Sequence, residues 1–424
     1  MADYRKMWRD MGLNMESHDQ LLEALPPTYH DAYLTQNNRP ASMEYFDFVV
    51  NEIHGLRVQE LQEHKAGGGK VIGTFCVFVP EEIIRAAGGI CIGLCSGIEI
   101  GTAEAEKVLP RNICPLIKSF MGFKLAKVCP YFESSDMVVG ETTCDGKKKA
   151  FEILNDYVPV YVMETPHMKK ERDWQLWREE VRDFARHIEE FTGIGISASS
   201  LAQSVREANE KRRALRRLSE LRKCDPAPVS GKDCLLIEQI AMYDDVVRFT
   251  AKVNELCDEL DKRVETGSGV FPAGAPRVLV TGTPMAIPNW KIPHIIETSG
   301  AVIVAEELCT GLRYFENEVD EQGTDMDAIM DNIAQRYLGI NCAVFTPNTG
   351  RMERLLQLVK EYRVDGVIHC ALSFCNSYAV EANRVEKVLR QENIPLLKIE
   401  TGYDQEDTGQ LKTRIEAFVE MIKE

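Results

Sequence analysis

The stretch Ser135-Asp136-Met137-Val138-Val139-Gly140-Glu141-Thr142-Thr143-Cys144-Asp145-Gly146-Lys147-Lys148-Lys149 decides the fold. Residues 137–143 read as an apolar strand, and a helix begins where the strand meets Cys144. The thiol therefore stands at the carboxyl end of a strand, where open α/β sheets bind their ligands. The same pattern recurs along the chain. Residues 71–75 form a strand that ends at Cys76, and residues 90–94 one that ends at Cys95. Residues 301–305 lead into Glu306-Glu307-Leu308-Cys309-Thr310-Gly311, and the strand begun by Val367-Ile368 runs toward Cys375.

Strands at 158–162, 277–282 and 396–399 complete two α/β segments. They resemble each other weakly. A strand followed by Pro80, Ile83-Ile84 and Gly88-Gly89-Ile90 matches one followed by Pro293, Ile295-Ile296 and Gly300-Ala301-Val302. Asp136 before Cys144 matches Asp365 before Cys375. Strands alternating with helices form parallel sheets. The expectation is an α/β protein with two Rossmann-like (flavodoxin-like) parallel-sheet domains facing each other, plus an additional helical segment. The boundaries are an N-terminal helical segment at 1–66, broken at Pro26-Pro27, and a first α/β domain at 67–167, opened by Gly67-Gly68-Gly69 and a helix at Pro80-Glu81-Glu82. A helical segment at 168–270 and a second α/β domain at 271–424 follow. In the helical segment Trp177, Val181, Phe184, Ile188 and Phe191 share one face, which reads as core or dimer packing, and Ser199-Ser200 reads as the next helix's cap.

The chain has 424 residues, 44% hydrophobic and 27% charged, as in soluble globular proteins. Its formal charge of −16 argues against nucleic acid or an anionic membrane as partner. The charged start of the chain lacks an apolar signal core, and the longest uncharged stretch, 86–98, is too short to span a bilayer. The expected location is cytoplasmic. There the 13 cysteines do not form a disulfide framework.

Cys114 and Cys129 each precede a proline at a helix start, where the positive helix end favours a thiolate. Cys76, Cys309, Cys342 and Cys375 lie beside turns. Cys224, Cys234 and Cys257 fall in the helical segment and Cys91 and Cys370 within strands, so they read as packing. Zinc-type Cys-x-x-Cys spacing, a dinucleotide fingerprint and a P-loop are all missing. Thiols gathered at one edge of two sheets suit an iron–sulfur cluster.

Thr74-Phe75-Cys76, Asn112-Ile113-Cys114-Pro115-Leu116-Ile117-Lys118-Ser119, the Val138–Lys149 stretch, Cys309-Thr310-Gly311 and Phe374-Cys375-Asn376-Ser377-Tyr378 resemble the 2-hydroxyacyl-CoA dehydratase and benzoyl-CoA reductase superfamily. Within it the chain is most similar to the double-cubane cluster proteins. The resemblance implies a cluster trio of Cys114, Cys144 and Cys375, and a second cubane that makes an 8Fe-9S unit. Cys129 is its most branch-specific addition, and Cys76, Cys309 and Cys342 compete for the remaining places, with Cys95 as an outside candidate. It also implies a homodimer, whose interface is expected in the helices from Trp174 onward. Electrons are expected from a separate ATP-hydrolysing 4Fe-4S activator and pass to a small-molecule substrate. The alternatives are a 2-hydroxyacyl-CoA dehydratase subunit with a single 4Fe-4S cluster, or a non-enzymatic cluster carrier. Glu141, Glu307 and His369 are proton-donor candidates, and His294 is expected to be structural.

Overall fold

The structure, a computed structural model, describes Tyr4–Lys423; Met1–Asp3, at the start of the charged terminus, and Glu424 lie outside the described residues. Eight strands there form two four-stranded parallel sheets. The first holds β1 (Val71–Thr74), β2 (Ile90–Gly93), β3 (Met137–Glu141) and β4 (Val160–Met163) in the order β2-β1-β3-β4. The second holds β5 (Arg277–Gly282), β6 (Val302–Glu307), β7 (Gly366–Leu372) and β8 (Leu396–Thr401) in the order β6-β5-β7-β8. The two orders are the same, so the weak sequence repeat is a repeat of topology.

The likeness extends to single hydrogen bonds. The Asp136 N–H donates to the Val71 carbonyl at 2.8 Å, and the Asp136 carboxylate accepts from the Val71 N–H at 2.9 Å. Asp365 does the same to Arg277, at 2.8 Å both ways. Each aspartate supplies an acceptor at the start of an inner strand, where an unpaired buried N–H would cost about 1–3 kcal/mol.

β1, β3, β5, β6 and β7 are buried along their whole length, as parallel strands covered on both faces must be. β6 is an edge strand, and helix Gly231–Ile240 packs against it; a Cβ on Gly231 would lie 2.4 Å from Ile303. Gly282 closes β5 at φ +132°, and a Cβ there would lie 1.9 Å from the Cys370 carbonyl oxygen, so only glycine fits.

Helices Glu171–Thr192, Ala198–Leu221, Gly231–Ile240 and Val246–Glu265 connect the sheets. Trp177, Val181, Phe184 and Ile188 are buried as one stripe, with Phe191 at its part-buried end. The Trp177 indole donates to the Ala334 carbonyl at 3.1 Å. The stripe is core, packed against helix Met326–Leu338.

Strand ends shift by one or two residues from the expected bounds, as where β3 stops at Glu141 and β6 runs on to Glu307, and three local readings differ further. Pro26 and Pro27 do not break the first segment: they lie inside helix Met15–Tyr29, which runs on into a π turn at His30–Leu34. Both are exposed, as is Glu23, one of the two residues whose carbonyls they leave without a helical N–H partner. The cap of helix Ala198–Leu221 is Ser197, which exchanges hydrogen bonds with Ser200. Strand β4 starts at Val160, because Pro159 gives only its carbonyl, to Val138.

Candidate metal centre

A cavity of about 820 Å³ lies where the carboxyl ends of the two sheets face each other. Six of the seven expected cysteines line it: Cys76, Cys114, Cys144, Cys309, Cys342 and Cys375. Cys91 and Cys95 are also on its wall. Cys129 is not. It lines a separate pocket of about 60 Å³ with His54, Phe123 and Tyr131, and Cys95 stands between the two spaces. Cys114 opens helix Pro115–Leu125 and Cys129 lies beyond its far end. An 11-residue helix separates its ends by about 16 Å at 1.5 Å per residue.

Three of the cavity thiols are helix N-caps. Cys114 precedes Pro115–Leu125, Cys144 precedes Asp145–Leu154, and Cys375 precedes Asn376–Gln391. Unpaired N–H groups at a helix start favour an anionic sulfur, and the Lys147 N–H reaches Cys144 Sγ at 3.4 Å. Cys375 follows Phe374, whose backbone is left-handed at φ 62° and whose ring is exposed at the cavity rim. Such strain persists only where the surroundings over-determine it.

Electrostatic contact sorts the six thiols into two triads. A hydrogen bond with Cys375 is the main influence that lowers the Cys114 thiol, and Cys144 acts on it too. Burial pushes Cys144 up, and Cys375 adds to that. Cys76 is raised by burial, and feels Cys309 and Cys342. Burial also raises Cys309, with Cys342 contributing. Cys114, Cys144 and Cys375 thus form one group, the first triad, and Cys76, Cys309 and Cys342 another, the second, with Cys309 also acting on Cys95. Each draws on both sheets.

Charged groups surround both triads. Burial alone would neutralise Lys147, yet its ion pair with buried Glu141 at 2.8 Å, with Cys76 and Cys95 beyond, holds it charged. Arg313 reaches Cys309 Sγ at 3.6 Å, Tyr378 Oη at 2.5 Å and Glu307 Oε1 at 2.5 Å. Arg351 pairs with Glu307 at 2.8 Å, and Tyr378 Oη contacts Cys342 Sγ at 3.5 Å. Burial opposes ionisation of Glu307, but Arg313 and Arg351 hold it at about 2. His369 is lowered to about 4, by burial first and then by Arg351. Glu141, Glu307 and His369 lie behind the wall rather than on the cavity. His294, in helix Lys291–Thr298, lies away from it as well. Sequence reasoning gave no role to Lys147, Arg313, Arg351 or Tyr378. The signal available was their closeness in sequence to Cys144, Cys309 and Cys375, and nothing pointed to Arg351.

Among the described residues no three His, Cys, Asp or Glu side chains converge as a single ion requires. Thiols spread around a cavity fit a polynuclear cluster, in which the thiolates attach to different irons. The basic groups behind them suit its negative charge.

A family model described as 2-hydroxyglutaryl-CoA dehydratase, D-component, matches residues 76–422, a span that contains all eight cavity cysteines. The chain belongs to this family. Among its relatives, YjiM of Escherichia coli (strain K12), provisionally named a dehydratase subunit, is 41% identical over 375 residues, covering 87% of this chain and 94% of YjiM. The (R)-2-hydroxyglutaryl-CoA dehydratase subunit beta of Acidaminococcus fermentans is 25% identical, over 85% of this chain and 95% of its own. A benzoyl-CoA reductase subunit from Thauera aromatica is 21% identical, over 84% and 91% respectively. The chain thus sits in the superfamily of dehydratases and reductases that its motifs resemble.

Proposed function

We propose that this D-component family member is a low-potential iron–sulfur reductase that carries an 8Fe-9S double-cubane cluster. The observation that supports it best is the pair of thiol triads on one cavity wall, one for each cubane. Six thiolates are then Cys76, Cys114, Cys144, Cys309, Cys342 and Cys375, and Cys129 is left out. When bound, such a group stores more than one electron at low potential. The chain's own residues hold that charge. Arg313 and the Lys147 N–H donate toward ligand sulfurs and Tyr378 Oη lies in hydrogen-bond contact with Cys342 Sγ, and such hydrogen bonds tune reduction potential. The electrons come from a separate ATP-hydrolysing 4Fe-4S activator and go to a small molecule.

The protein works in this reading as a cytoplasmic homodimer. No helix among the described residues is long and apolar enough to cross a membrane. The helix beginning at Glu171 would meet a second copy through the side opposite its Trp177–Ile188 stripe, which is already covered.

Relatives named as beta subunits favour a second reading, a 2-hydroxyacyl-CoA dehydratase subunit with one 4Fe-4S cluster on the first triad. Anaerobic purification with iron and sulfide analysis separates the two. The double cubane requires about eight irons per chain and the single cluster about four. Four irons, all lost in Cys144→Ser and all kept in Cys342→Ser, would overturn the first reading.

A further inference from the structure

Away from the triads the cavity extends along edge strand β2, past Gly88, Ile90, Cys91 and Met242. Gly88 is exposed and the other three are partly exposed, so this arm reaches solvent. Its inner wall carries Glu81, Lys211 and Tyr314, all three buried. Lys211 Nζ donates to Glu81 Oε2 at 2.7 Å, and Tyr314 Oη donates to Glu81 Oε1 at 2.8 Å. Both carboxylate oxygens are thereby fixed, and the ammonium lies 5.1 Å from the centre of the Tyr314 ring.

Lys291 shows what a purely structural buried lysine looks like here. Its ammonium reaches three acceptors, the Gly402 carbonyl at 3.3 Å, the Asp404 carbonyl at 2.7 Å and Asp407 Oδ1 at 2.5 Å. Lys211 has one protein acceptor and lines open space. A buried ammonium with spare N–H bonds is costly unless something meets them. The cavity's other buried ammonium, Lys147, faces Cys76 and Cys95 and offsets sulfur charge. The Lys211 station instead lies beside Cys91, near the solvent arm. The chain also ties it to the second triad, since Glu81 follows Cys76 and Tyr314 follows Cys309 by short segments.

We propose that Lys211, anchored by Glu81 and flanked by Tyr314, is the proton donor to small molecules reduced in this cavity. The inference rests on the reductase reading above. A double bond A=B that takes up two low-potential electrons from the iron–sulfur electron donor also needs two protons to become HA–BH. The Lys211 ammonium gives a proton to the reduced atom and becomes an amine still bonded to Glu81. Water from the β2 arm restores the proton, and the transfer repeats.

Acetylene tests this, because it carries no titratable group: HC≡CH + 2 e⁻ + 2 H⁺ gives H₂C=CH₂. The holoprotein is reduced with a europium(II) chelate, and both ethylene and the bleaching of the iron–sulfur absorbance are followed. Lys211→Ala is expected to slow ethylene formation about 100-fold, the scale of a lost general acid, while bleaching keeps its wild-type rate. Methylammonium, which fits the space vacated, restores ethylene formation in proportion to its concentration. Wild-type rates in the variant, or a loss that methylammonium does not repair, overturn the assignment. If Lys211→Ala does not load iron, Lys211→Met decides. Slow ethylene formation with a flattened pH profile supports the role, and an unchanged pH profile removes it. Wild-type protein that makes no ethylene overturns the reductase reading itself, whereas active wild type with equally active variants overturns only Lys211.

Discussion

The sheet from Val71 to Met163 and the sheet from Arg277 to Thr401 are built by the same local moves. Each has the same strand order, the same aspartate clasp on its first strand, and a proline carbonyl that receives the third strand, Pro159 for Val138 and Pro395 for Val367. Each also returns a cysteine just after the third strand, Cys144 after the Thr142 N–H bonds Met163, and Cys375 after the Ser373 N–H bonds Thr401. Behind the cysteines the halves part. The first backs them with one ion pair, Lys147–Glu141. The second uses a buried knot of Glu307, Arg313, Arg351 and Tyr378. The scaffold is repeated and the electrostatics are not, so the two triads sit in different fields although their strands match.

The largest expected effect comes from cutting the knot. Arg351→Met leaves Glu307 and Glu381 short of a partner, and breaking a buried pair costs about 3–5 kcal/mol. Glu141→Gln in the first half should cost less, because only Lys147 is left. Denaturant midpoints of the two variants measure the contrast, and equal losses would remove it. Ligand exchange comes next. Cys144→Ser and Cys342→Ser strike different triads, and each should lower the iron content by about half with a distinct change in the EPR signal. The clasps provide a smaller, matched pair. Asp136→Ala and Asp365→Ala should each cost about 1–3 kcal/mol, and a large inequality would mean the halves are not mechanically equivalent.

Acid gives a smaller difference still. His18 is lowered to about 4, mainly by burial, and stacks on His54, itself lowered by burial. An unfolded histidine takes its proton first, at about pH 6.5. Stability from these rings is therefore complete above that pH and drains as pH falls toward 4, by at most about 1.4 kcal/mol per pH unit per ring. His369, lowered to about 4 in the second half, adds to the same slope. His18→Gln and His369→Gln should each flatten it, as urea melts at pH 5 and 7 can establish. The smallest effect belongs to Cys129→Ser, which should leave iron content and spectrum unchanged. Iron loss there would return Cys129 to the ligand set.

Much of this was legible in the chain. An apolar run that ends at a cysteine marked the strand ends, and Asp136 and Asp365 carried the repeat. The sequence does not separate Cys129-Pro130, which lies off the cavity, from Cys114-Pro115, which lines it: both cysteines are followed by proline at the first helical position. Which end of an intervening helix faces the cleft is not written in the dipeptide. The surroundings of the proton-donor candidates, which the sequence left as possible donors, structural partners or caps, were hidden for a similar reason. Glu307 stands next to Cys309 in sequence, but its partner Arg351 arrives from helix Thr349–Glu361. A short-range reading does not capture such a pairing.

Each thiol triad is a two-to-one mixture: Cys114 and Cys144 wait for Cys375, and Cys76 waits for Cys309 and Cys342. If the proposed ligand set holds iron, a nascent chain still on the ribosome cannot complete the two grips until Cys342 and Cys375 have emerged, so a half-made protein presents no complete trap for iron. Once filled, the same arrangement would rivet the lobes together, and release of the metal would leave them joined by side-chain packing, by the helices between and by hydrogen bonds such as that from the Gly97 N–H to the Ile287 carbonyl.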